Sequence, residues 1–294
     1  MRKYWIFTDT SCDLPPQELR RLGVTCLPLI LTINGVEYSD AIGNMPDVDK
    51  FYQMQKECSG QTKTSGLNQM AIMEAFELVL KEDIDILYLG ISPDLSEATW
   101  NSMNIVVSEL REEYPDRRIE IPNTHSVASG LGRMITEIAT LRDTGACLDQ
   151  TMEQVELIAK EMVHLFTVDD FKQLKRSGRV SSLKATVADV MQVRPILHLP
   201  YEGIARLKKK VTGRDMRRVL KTLATMVHEA IKDDEKEVWV SYGDSGGEWA
   251  ANKLSEFIWE LCSNVKISLH RIGPVTGAHT GGTAVGAFFR AKER

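Results

Sequence analysis

The sequence predicts an α/β protein of two domains: a parallel sheet flanked by helices, then a second α/β domain with a mixed or antiparallel sheet. Three observations carry that expectation. At 294 residues the chain exceeds one typical domain. Its first half alternates short apolar runs with amphipathic helical patterns, which is how a parallel sheet with helical crossovers reads. From about residue 160 the pattern changes, and Val265, Ile267 and Leu269 alternate with polar neighbours as in a sheet buried on one face. The division is therefore placed at domains 1–160 and 161–294.

In chain order, strands are expected at residues 5–7, 25–31, 84–89 and 118–121, each apolar and bounded by polar or turn residues. Ile72, Ala75, Phe76 and Val79 share one helical face. So do Leu131, Met134, Ile135, Ile138 and Leu141, and then Met152, Val155, Ile158, Ala159 and Met162. The second domain is expected to place strands at 165–167, 196–199, 204–207, 238–242 and 265–269, around helices at 216–231 and 250–261.

Composition narrows the class of function. A net charge of −5 disfavours nonspecific nucleic-acid binding, which needs a basic surface. The local cluster RLKKK, Arg206 to Lys210, is still able to meet an acidic partner. No basic start leads into an apolar core, and no apolar run reaches about 18 residues, so a cytoplasmic protein without stable membrane insertion is expected. Cys12, Cys26, Cys58, Cys147 and Cys262 are scattered and form no CxxC, which reads as buried hydrophobes rather than a metal or disulfide site. Neither GxxxxGK[ST] nor HExxH occurs, and Gly130 and Gly132 lack the third glycine of a dinucleotide fingerprint. No cofactor and no metal are expected.

Small polar residues collect where strands should end, in TDTSCDLP (8–15), GISPDLS (90–96) and PNTHSVASG (122–130). In an open parallel sheet, ligands bind at those carboxyl ends. Thr64 and Ser65 lie in KTSGLN before a helix expected near Asn68, and Ser96 sits at the start of another. Helix capping explains such residues, and the same geometry binds anions. The run IGPVTGAHTGGTAVG (272–286) holds five glycines and His279, and reads as a loop rather than a helix. LKRSGRVSS (174–182) concentrates Lys175, Arg176 and Arg179, so the two runs resemble walls of a pocket for an anionic end. Asp169 and Asp170 are alternative partners for those arginines. Ser96, His279 and Asp9 compose a hydrolytic triad on paper, but no GxSxG elbow surrounds any serine.

Seven runs together resemble the DegV family of bacterial fatty-acid-binding proteins: TDTSCDLP, KTSGLN, SPDLSEATWNS, NTHSVASGLG, FTVDDFKQLKRSGRVSS, VRPIL and IGPVTGAHTGG. They follow in family order over nearly the whole chain. The resemblance implies a two-domain DegV-like fold with an acyl chain buried between the domains. It implies that Thr64, with Ser65 beside it, and Ser96 hold the carboxylate, and that His279 and Arg176 contribute. It further implies a protein with no catalytic residues, which passes a long-chain fatty acid to a fatty acid kinase subunit for phosphorylation. Departures are Gly66-Leu67 in place of Gln-Pro, Pro93 in place of a serine, Glu97 after Ser96 in place of glycine, and Asn123 in place of aspartate. VTGRDMRR, after the lysine run, lacks the family's Val-Arg-Thr spacing.

Physical chemistry suits such a ligand. At about 0.8 kcal/mol per buried methylene, a fatty tail gains roughly 10 kcal/mol gross before the costs of association. Its carboxylate then needs several donors, because an isolated buried charge is far more costly. The alternative is an enzyme acting on a small phosphorylated or acyl substrate in the same pocket, which would need a matched acid and base.

Overall fold

The computed structural model describes residues 3–39, 43–58, 61–168, 171–180, 193–213, 215–292 and 294. In chain order these form β1 (Tyr4–Asp9), α1 (Pro16–Arg21), β2 (Val24–Leu27), β3 (Ile30–Ile33), β4 (Val36–Tyr38), α2 (Val48–Glu57), β5 (Thr62–Ser65) and α3 (Gln69–Leu80). Next come β6 (Asp85–Tyr88), α4 (Glu97–Glu113), β7 (Ile119–Glu120), α5 (Ala128–Asp143), α6 (Leu148–Glu161), β8 (Met162–Thr167) and α7 (Phe171–Ser177). The remainder is β9 (Val193–His198), β10 (Arg206–Thr212), α8 (Met216–Ala230), β11 (Glu237–Tyr242), α9 (Ser245–Leu261), β12 (Lys266–Arg271), α10 (Pro274–Thr280) and β13 (Val285–Arg290). Two compact units result, one of residues 1–45 and 64–159, the other of 46–63 and 160–294. Residues 46–63, which the sequence reading left inside 1–160, thus group with the later part of the chain.

The first unit holds a parallel sheet in the order β2-β1-β6-β7. Ile6, Phe7, Ile86 and Leu87 are buried, as expected of central parallel strands covered on both faces. Helix α3 buries Ile72, Phe76 and Leu80, with the Phe76 and Phe7 rings 4.6 Å apart. Helix α5 buries Leu131, Met134, Ile135 and Ile138, the predicted face. The strand expected at 25–31 is broken instead. Pro28 has no N–H for a ladder, so β2 stays in the parallel sheet while β3 pairs antiparallel with β4.

The second unit holds a six-stranded mixed sheet in the order β10-β9-β8-β13-β11-β12, parallel only between β11 and β12. Val219, Leu223 and Val227 of α8 and Ala251, Leu254 and Ile258 of α9 pack with Val163, Val240 and Phe289 into its core. Asp215 and Asp244 cap the two helices by accepting first-turn amides. The alternation at 265–269 does not produce the predicted buried face. Val265 precedes β12 and is buried, but β12 is an edge strand and Leu269 is 45% exposed.

The glycine-rich run also departs from expectation, because Pro274–Thr280 is a helix, α10. Pro274 fits its first turn and Gly281, at φ +79°, ends it. Gly277 serves close packing: a Cβ there would lie 2.6 Å from Tyr52 Oη and 2.8 Å from a Phe51 ring carbon. The five cysteines are free, with Cys12, Cys58 and Cys262 buried. Among the described residues, no helix is long and apolar enough to cross a membrane.

Candidate functional site

In the first unit the loops after β1, β6 and β7 are tied together. Asp9, at the end of β1, is fully buried. One carboxylate oxygen accepts from Ser11 N at 2.9 Å and Ser11 Oγ at 2.5 Å; the other accepts from Tyr88 Oη at 2.6 Å and Ile91 N at 2.9 Å. Burial first, and then the adjacent carboxylate, push the Tyr88 phenol well above its ordinary range. Thr124 Oγ1 donates to Gly90 O at 2.7 Å, and Ser92 N donates to Ser126 O at 3.0 Å. The loop leading to Ser96 is therefore fixed at several points. Asp9 spends its lone pairs as an anchor, so it is not available as the acid of a Ser96–His279–Asp9 triad.

Ser96 occupies the N-cap position of α4, yet its side chain caps no amide. Its Oγ lies 2.8 Å from Thr99 Oγ1. Thr64 and Ser65 do not cap α3 either; they lie on β5, and Asn68 accepts the amides of Met70 and Ala71. Gly66 connects the two segments. A Cβ on it would lie 2.8 Å from the backbone of both Ala98 and Thr99, so the chain after half-buried Thr64 rests on the first turn of α4. Thr64 and Ser96 are thereby brought to one helix start. Ser65 is exposed.

In the second unit, α10 is gripped by side chains. Tyr52 Oη donates to Ile272 O at 3.0 Å, Gln55 Nε2 to Gly277 O at 2.9 Å and Thr62 Oγ1 to Ala278 O at 3.0 Å. Gln173 Nε2 donates to Ala278 O and to Thr62 Oγ1. The next residue is half-buried His279, whose imidazole is pushed down to about 4 by desolvation, with the charge of Arg179 adding to the effect. It is therefore neutral at pH 7, with one N–H to give and one lone pair to accept. Exposed Arg176, in the last turn of α7, donates to Gln173 Oε1 at 3.2 Å. Gln173 thus joins Arg176 to the turn bearing His279. Asp169 and Asp170, the alternative partners of the arginines, lie outside the described residues, as do Ser181 and Ser182. No group of three metal-type ligands occurs among the described residues.

The depressed histidines give a signed pH effect. His198 is also pushed down to about 4, by desolvation and then by Lys208 and Arg206. Both fold with fewer protons than the unfolded chain binds, so their contribution is complete above about pH 6.5 and is lost as pH falls towards 4. In urea titrations at pH 7 and pH 4.5, His198→Asn is expected to remove about 2 kcal/mol of the acid-induced loss of stability. Equal losses in the variant and the wild type would contradict it.

Thr99, Gln55, Thr62 and Gln173 take part in these arrangements without having stood out in the sequence. Thr99 had one signal, its position three residues after a candidate N-cap. The amides had none, since neither charge nor apolar spacing marks them.

Comparison with known proteins places the fold. A family model described as "Uncharacterised protein, DegV family" matches residues 3–292. The DegV domain-containing protein CPE0026 of Clostridium perfringens is 33% identical, covering 98% of each chain. The fold matches a fatty acid binding DegV family protein of Streptococcus agalactiae at TM-score 0.86 and 24% identity, covering 100% of both chains. It also matches a stearic acid-binding protein of Eubacterium ventriosum at TM-score 0.82 and 24% identity, covering 98% of both. With a family match over almost its whole length and a relative alike from end to end, the chain belongs to the DegV family.

Proposed function

We propose that this protein binds one long-chain fatty acid and presents its carboxylate to a partner kinase for acyl-phosphate formation. The observation that supports the reading is the seating of Gly66 on the first turn of α4, which sets the chain just after Thr64 against the helix start occupied by Ser96. Hydroxyl donors beside the amides of a helix's first turn suit a carboxylate. His279 in this reading gives a neutral N–H, which stabilises an anion without adding a second buried charge. The two solved relatives described above as fatty-acid binders support the ligand class. The engagement of Asp9 by four donors favours a binding protein over an enzyme needing a free carboxylate base.

Native mass spectrometry of the purified protein tests the ligand. About one long-chain fatty acid per chain is expected, with incubation in acids of roughly 14–18 carbons, because burying a tail of that length gains more than roughly 10 kcal/mol gross. Protein that stays empty after incubation with such acids would refute the reading.

For the partner, support comes from the surface of the second unit. Residues 206–221 carry eight basic side chains and one acidic, in a chain whose net charge is −5. Lys208, Lys209 and Lys210 stand exposed on edge strand β10. Arg217, Arg218 and Lys221 line a cavity of about 530 Å³ along α8, with Phe257. This is the electrostatic complement of an acidic docking surface. Arg176, exposed at the end of α7, is assigned to the same encounter. Arg176→Ala is expected to slow phosphorylation by a fatty acid kinase about tenfold while leaving fatty-acid retention within about twofold. Equal losses in both assays would place Arg176 in ligand binding instead.

A further inference from the structure

We propose that Gln173 is a positioning residue of the fatty-acid site, fixing together the places of Arg176 and of the helical turn that carries His279. The inference rests on the function proposed above and assigns a role to an uncharged residue that acts through its neighbours.

The argument begins with valence. A glutamine amide offers two N–H donors and one carbonyl acceptor of two lone pairs. Gln173 is buried, and both donors are committed: Nε2 gives one bond to Ala278 O and one, of 3.0 Å, to Thr62 Oγ1. Its Oε1 accepts from Arg176 Nη2 at 3.2 Å. Turning the amide over would set Oε1 against Ala278 O and an N–H against the guanidinium, so only one orientation is compatible with both neighbours. Thr62 locks it further, since its single proton goes to Ala278 O at 3.0 Å and its oxygen must accept from Gln173.

The helices joined by this amide need such a link. Helices α7 and α10 have seven residues each, too short to be stable by their own hydrogen bonds. The carbonyls of Gly277 and Ala278 lie in the last turn of α10, where lysine or arginine side chains interact favourably with the helix end. Here two buried neutral amides, Gln55 and Gln173, take that place. The carbonyls of this turn are thus held by neutral side chains rather than by a cation. A donor that is fixed and uncharged is what a buried carboxylate site requires of its imidazole.

The test uses the full-length protein and two readouts. NMR titration of the ligand-free protein follows His279, expected near pH 4 in the wild type. In Gln173→Ala its midpoint should rise by at least about one unit towards 6.5 as the turn loosens and hydrates. Affinities for palmitic acid and for the alcohol of equal length are measured in parallel. Gln173→Ala should weaken acid binding about tenfold and alcohol binding less than about twofold. Thr62→Ser should match the wild type and Thr62→Val should follow Gln173→Ala. If Gln173→Ala does not fold, Thr62→Val decides by the same two measurements. An unchanged His279 midpoint with an unchanged acid-to-alcohol ratio overturns the proposal and leaves Gln173 a packing residue. If the wild type binds neither ligand, the fatty-acid function fails, and a shifted midpoint still upholds the placement of His279 by Gln173.

Discussion

Thr64→Ala, Ser96→Ala and His279→Ala are each expected to weaken fatty-acid binding by roughly ten- to hundredfold. Losing one donor to a partly buried charged group costs about 1.5–3 kcal/mol, and that converts directly to affinity. The three side chains reach this role differently. Thr64 lies on β5 and Ser96 opens α4, while His279 ends a helix held by neutral amides. Ser96→Ala has a second effect, since buried Thr99 loses the hydroxyl 2.8 Å from its own. Thr99→Val is the control for that loss. A fatty alcohol lacks the carboxylate charge, so its affinity should change less than about threefold in every variant. Melting temperature separates binding from unfolding. Wild-type affinity in all three variants would place the carboxylate elsewhere. Silence of Ser96→Ala alone would mean that Glu97, beside it, has diverted the ligand from that helix start.

Gly90→Ala is expected to destabilise the protein by at least about 3 kcal/mol, at the severe end for overpacking. A Cβ at Gly90 would lie 2.0 Å from Tyr88 Oη, 2.1 Å from its ring carbon Cζ and 2.6 Å from an Asp9 carboxylate oxygen. Tyr88 is only 1% exposed and bonded to Asp9, so neither can withdraw without breaking the anchor that also holds Ile91 N. The strain has nowhere to relax. Thermal unfolding should show a melting point lower by roughly 6–12 °C. Gly145→Ala is the contrast. Gly145 has φ +92° with nothing within 4 Å of an added Cβ, so only backbone strain of about 1–2 kcal/mol applies. A Gly90→Ala variant melting within about 2 °C of the wild type would show that the anchor is pliable.

Much of the architecture was legible because burial enforces composition. Central strands β1 and β6 bury Ile6, Phe7, Ile86 and Leu87 and so read as apolar runs, and α3 shows Ile72, Phe76 and Leu80 buried at helical spacing. What was misread has local causes. Pro28 divides a continuous apolar run into strands of different sheets, a break that hydrophobicity does not register. The glycines of α10 suggested a loop because the reason for Gly277 lies in Phe51 and Tyr52, more than two hundred residues earlier. Of the site, hydroxyls at strand ends were visible by type, whereas their roles were not. Asn68, Thr64 and Ser65 are all plausible caps by composition, and only the backbone path shows that Asn68 serves. Gln55 and Gln173 act through bonds to carbonyls, which any polar side chain can make.

The membership of residues 46–63 in the second unit has a consequence for biosynthesis. Tyr52 bonds to a carbonyl 220 positions later, and Gln55 to one 222 positions later. At about 5–20 residues per second, that hairpin-distant partner leaves the ribosome roughly 10–40 s after helix α2 does. Throughout that interval the aromatic pair Phe51–Tyr52, fully buried in the finished protein, has no surface of its own to cover it. Folding of the second unit must wait for the segment around residues 272–290 to be synthesised, and expression of 160–294 alone would yield a polypeptide missing one of its own structural pieces.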